Sequence, residues 1–168
     1  MRADLHLMKT EDPALTETEF HKKLAIRLFN ETWKLLDKPE RTPEEDARMS
    51  HTAHASRLHW DFVGSAENFA IGEWQVARVH AVLQQPEAAV FHARRSLEIA
   101  TLHLLRPFII ACAHEAIARA LALTQPSAAA EHIAVARRMA AEITDPEEKK
   151  ILEEDLASID VRGGDAAA

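Results

Sequence analysis

Apolar positions along this chain return every three to four residues, the spacing that lays a stripe down one side of a helix. Phe20, Leu24, Leu28, Trp33 and Leu36 form the first stripe and predict a helix over about 15–37. The second segment opens Thr42-Pro43-Glu44-Glu45. Thr42 there can accept from free amides, Pro43 loses nothing by lacking an N–H, and Glu45 can bond back to the cap. This helix runs through Met49, Ala53, Leu58 and Phe62 to Gly64, which is expected in the left-handed conformation that ends helices. Ser65 caps a third helix reaching about Gln84, and Pro86, Pro107 and Pro126 begin the next three. Asp145-Pro146-Glu147-Glu148 repeats the logic of cap, proline and acidic first turn for a seventh. No alternating run of β-branched residues bounded by turns occurs, so no sheet is expected.

These signals divide the chain into an N-terminal extension (1–14), a helical domain (15–159) and a tail (160–168). The tail carries Gly163-Gly164 and three closing alanines, and is expected to be disordered. At 168 residues, 47% apolar and 28% charged, the chain suits one domain with a buried core. The net charge of −7 is spread along the length rather than gathered into a basic face, which argues against nucleic acid and anionic membranes as partners. Cys112 has no second cysteine to pair with, and no apolar run approaches the roughly 18 residues of a membrane span. A soluble cytoplasmic protein is expected.

The segment Leu83-Gln84-Gln85-Pro86-Glu87-Ala88-Ala89-Val90-Phe91-His92 recurs as Leu123-Thr124-Gln125-Pro126-Ser127-Ala128-Ala129-Ala130-Glu131-His132, a displacement of 40 residues. Such a period is the mark of stacked helical hairpins. The surrounding residues resemble a tetratricopeptide-type hairpin, with Ala77 at a small-residue position, His80 where an aromatic ring is usual, Ala89 where the two helices touch, and Leu97-Glu98-Ile99 closing the second helix. His54-Ala55-Ser56-Arg57, Trp60, Gly64, Asn68, Glu73-Trp74-Gln75, Ala77-Arg78-Val79, His92-Ala93-Arg94-Arg95 and Glu115-Ala116 further resemble a family of uncharacterised bacterial proteins with a tetratricopeptide-like fold. The resemblance implies an all-α solenoid of three antiparallel helical hairpins plus a C-terminal capping helix. It implies no reaction. The chain departs from it in having no tyrosine and in its period, since tetratricopeptides repeat every 34 or so residues.

Stacks of this kind bind ligands in a concave groove, and on the repeat alignment Trp74 faces that groove with Arg78 one turn on and His114 at the equivalent position of the next hairpin. An indole, a guanidinium and an imidazole together suit a carboxylate or an aromatic anion. Asn68 and Glu115 are expected in support. In the competing reading Trp74 is a core plug and Arg78 pairs with Glu115 as scaffold. His54 and Arg57 lie three apart on the second helix while Asn68 and Glu73 flank the start of the third, so the turn at Gly64 is expected to bring the four together. They would form either a polar lock between helices or part of a ligand site.

Ten histidines invite a metal hypothesis, yet only His51 and His54 are three apart on one helix face. There is no His-Glu-x-x-His motif, so neither a metal nor a cofactor is expected. Cys112, within Ile109-Ile110-Ala111-Cys112-Ala113, reads as a buried inert thiol, and Arg94-Arg95 and Arg137-Arg138 read as solvated faces. The expected function is a non-catalytic adaptor whose groove takes a peptide, a protein segment or a small anionic ligand. The alternative is a metal-dependent or other enzyme using His51, His54 and Glu73. Self-association as a homodimer through the alanine-rich fifth and sixth helices is the third expectation.

Overall fold

The computed structural model describes residues 15–161. The expectation for the extension before Leu15, and that for the tail past Val161, lie outside the described residues. Seven α-helices follow in order: α1 (Glu17–Leu36), α2 (Pro43–Val63), α3 (Ala66–Val82), α4 (Pro86–Leu102), α5 (Pro107–Ala122), α6 (Pro126–Met139) and α7 (Pro146–Ala157). A short 3-10 turn, Ala140–Glu142, follows α6. The starts are local chemistry. Thr42 accepts from Glu45 N–H while Glu45 bonds back, and Thr16 and Glu19 form the same box at α1. Asp145 accepts from the amides of Glu147 and Glu148, and five helices begin on proline.

Gly64 departs from expectation. Its φ of −88° and ψ of 173° are extended, not left-handed. What glycine supplies there is room, because a Cβ would stand 2.8 Å from the Trp60 carbonyl oxygen. The left-handed turns fall instead on Gln84 (φ 57°) and Leu104 (φ 49°), which end α3 and α4.

α1 packs on α2, α3 on α4 and α5 on α6, and each pair lies against the next, with α7 on α5. α1 and α2 run antiparallel. Thr32 Oγ1 donates to Thr52 Oγ1 at 2.9 Å while Ser56 Oγ donates to the Ala25 carbonyl at 2.8 Å, so rising numbers on α2 meet falling ones on α1. Ser96 Oγ donates to the Ala70 carbonyl across α3 and α4 at 2.8 Å in the same way.

Burial repeats with the period of the sequence. Met49, Ala89 and Ala129 are buried, as are Ala53, Ala93 and Ile133, and likewise Ser56, Ser96 and Ala136, each set spaced by 40. Alanine dominates these crossings, so helix axes approach closely while helix propensity stays high. The larger plugs, among them Met49, Ile117 and Leu152, are few. No described helix is long and apolar enough to cross a membrane.

Candidate functional site

Two polar clusters flank α3. The first lies between α3, α5 and α7. The Trp74 indole N–H donates to Glu115 Oε2 at 3.2 Å, and Arg78 reaches Glu115 Oε1 at 3.4 Å. Arg119, one turn along α5, donates to the same oxygen at 2.7 Å. Glu115 is only 1% exposed, and these three partners satisfy it. Arg78 extends its other nitrogen to Asp155 of α7 at 2.7 Å, and Arg119 donates to the Asp155 carbonyl at 2.8 Å with its carboxylate 3.9 Å away. Trp33 closes the edge, its ring 5.6 Å from that of Trp74 and 5.9 Å from the Arg78 guanidinium. Trp74, Arg78 and Glu115 are thus brought together, and α7 lies over them.

His114 does not join this group. Its Nδ1 faces Nδ1 of His132 on α6 at 2.9 Å. The cavity beside Trp74 is small, about 90 Å³, and its walls, including Ile71, Phe108, Cys112 and Ile151, are apolar rather than polar. Burial pushes the Cys112 thiol far up, which keeps it protonated and unreactive.

The second cluster lies between α2, α3 and α4. Arg57 of α2 donates from Nε to Glu73 Oε1 at 3.1 Å and also pairs with Asp61 one turn on. Gly72 makes this reach feasible, since a Cβ there would stand 2.5 Å from Arg57 Cδ. The second oxygen of Glu73 accepts from His92 Nδ1 at 2.7 Å. Burial pushes the Glu73 carboxyl up, but the bonds from His92 and Arg57 outweigh it and leave the group below the usual glutamate range.

Beside His92 stand His80 of α3 and His54 of α2, their Nε2 atoms 3.2 Å apart. The His80 and His92 rings are parallel, 5.5 Å between centroids. One nitrogen from each of the three rings lies within 4.8 Å of the others. His80 Nδ1 donates to Gln85 Oε1 at 2.7 Å. The left-handed Gln84 turns the chain so that Gln85 N–H bonds back to the His80 carbonyl at 2.9 Å, which sets the amide side chain beside the ring. Burial, followed by the His92 and His80 charges, holds His54 below the ordinary imidazole range. Burial does the same for His80 against the opposing Gln85 bond.

Of the four residues expected at the turn, His54, Arg57 and Glu73 belong to this cluster and Asn68 does not. Asn68 Oδ1 instead accepts from the Ser65 backbone N–H at 3.0 Å, closing the start of α3. His51 is exposed and makes no hydrogen bond to these groups. The sequence reading missed His80 and His92 as companions of His54, because they stand on three helices and no helical spacing links them. The signal that was present is the stand-in of His80 for an aromatic ring. Its half-buried ring faces two imidazoles rather than an apolar interior.

A scan against protein-family models, a search of curated proteins and a search of solved structures each gave no match to this chain.

Proposed function

We propose that the chain is a tetratricopeptide-like solenoid of three helical hairpins capped by α7, working as a non-catalytic binding module that receives carboxylates on the α3–α5 face. The repeat of buried positions every 40 residues supports the architecture. The observation that carries the function is Asp155. On α3 and α5 alone, two guanidinium groups face a single carboxylate, so the face holds an uncompensated positive charge beside the Trp74 indole. Asp155 of α7 supplies the balancing negative charge. An acidic peptide or small anionic ligand presents the same chemistry, gripped by guanidinium forks and flanked by an aromatic plate.

Asp155→Ala tests this reading. It leaves Arg78 and Arg119 in place and removes their intramolecular occupant, so a glutamate-rich peptide, titrated calorimetrically, should bind this variant at least tenfold more tightly than the parent chain. Adding Arg119→Ala should abolish the gain. Equal and negligible binding by both proteins would assign the whole cluster to the scaffold.

A further inference from the structure

We infer that His54, His80 and His92 form a binding site for a late first-row divalent metal ion, of which zinc is the representative. This goes beyond the carboxylate-binding face and uses none of its residues. The argument rests on where the imidazole protons must lie. Glu73 is acceptor-only, so His92 Nδ1 carries the proton that it donates, and in the neutral ring Nε2 keeps a lone pair. Gln85 Oε1 likewise accepts from His80 Nδ1, which leaves a lone pair on His80 Nε2. Without a metal, the only described donor to His80 Nε2 is His54 Nε2, at 3.2 Å. A cation unites the three nitrogens, once His54 shifts its proton to Nδ1.

The outer contacts are those a histidine-held ion uses. A carboxylate or carbonyl on the far nitrogen fixes the tautomer, aims the near nitrogen and raises its basicity. Glu73 does this for His92 and Gln85 for His80, while Arg57 anchors Glu73 from the other side. The spacing is close to that required. Zinc–nitrogen bonds of 2.0–2.1 Å in a tetrahedron place the ligand nitrogens about 3.3 Å apart. His54 and His80 already stand at 3.2 Å, and a nitrogen of His92 lies within 4.8 Å of both.

Three neutral nitrogens select zinc, cobalt or nickel over magnesium and calcium, which take oxygen. Three protein ligands also leave a coordination position open, and His54 lies exposed, so that position faces solvent and takes water or an exogenous donor.

The test uses the full chain, stripped with chelator and titrated with zinc in a calorimeter, then loaded with cobalt for visible absorption. One ion per chain and an intense tetrahedral cobalt spectrum are expected. His80→Ala and His92→Gln should each weaken zinc at least a hundredfold with the helical circular dichroism retained. Glu73→Gln should weaken it about ten- to a hundredfold while the cobalt spectrum persists. His114→Ala, at the separate His114–His132 pair, should leave binding unchanged. Absence of stoichiometric zinc binding would overturn the assignment. So would a loss on His114→Ala equal to that on His80→Ala, or unaltered binding in a folded His80→Ala, His92→Gln double variant.

Discussion

The two clusters beside α3 are built from similar residue types and end in opposite states. Around Glu115 each formal charge has a partner, and the carboxylate is sealed from solvent by Trp74, Arg78 and Arg119. Around His80 the far nitrogens of His80 and His92 are tied down, while one nitrogen from each of three rings converges within 4.8 Å. A saturated polar group takes a ligand only by giving up an occupant, which here is Asp155 of α7, whereas convergent imidazole nitrogens can take an ion directly. Burial alone does not distinguish the two. The count of donors against acceptors does.

The sharpest way to break this contrast is to remove one member from each side. Glu115→Ala leaves two guanidinium groups sharing the single carboxylate of Asp155 and an indole N–H without its acceptor between packed helices, so the loss should be about 3–5 kcal/mol in urea unfolding. His54→Ala, on the exposed rim, should stay within about 0.5 kcal/mol in metal-free protein. Comparable values for the two would erase the distinction. The α3–α4 crossing that positions His80 and His92 is probed by Ala89→Leu. Ala89 is fully buried, and the added bulk should overpack the crossing at a cost of about 1–3 kcal/mol, read as a lowered melting temperature.

A smaller effect is expected at the His114–His132 pair. Burial first, then the neighbouring His132 and Arg138 charges, hold His114 below its ordinary range, and burial with the Arg94 charge does so for His132. Since the unfolded chain then binds protons that the folded one refuses, their contribution is fully present above the unfolded value of about 6.5. It should be lost as the pH falls below that value toward the lower folded one. Denaturant midpoints from pH 7.5 to 5 should show this decline, and His114→Gln with His132→Gln should make it shallower, the remainder coming from His54 and His80.

The smallest change in stability is expected at Gly72. Gly72→Ala gains helix propensity of about 1 kcal/mol and meets Arg57 Cδ at 2.5 Å, so the net shift should be slight. The displaced Arg57 should release Glu73, visible as a change in the His92 tautomer by nitrogen NMR.

Much of the fold was legible because helix starts are local. Thr42, Pro43 and Glu45 settle their own turn whatever lies elsewhere, and the prolines at 86, 107, 126 and 146 act alike. The Arg78–Glu115 pair was legible as the scaffold alternative, because a buried arginine needs an acid beside it. Gly64 was misread because a glycine after a helix signals either a left-handed turn or a close approach, and composition does not tell which. Asp155 was missed since the seventh helix presents several acids and only its docking angle selects one. The trio of histidines depends on three helix crossings at once, which no stretch of sequence encodes by itself.

α7 has only 12 residues, a length at which a helix in water is marginal on its own. Its apolar anchors, Leu152 and Leu156, are buried on the body of the molecule, and Asp155 is clasped between two arginines. Undocking and melting of α7 are therefore one event rather than two. A competitor for the Arg78–Arg119 clasp would gain back the chain entropy that docking had frozen, and would reveal itself as amide exchange appearing simultaneously along the whole of 146–157.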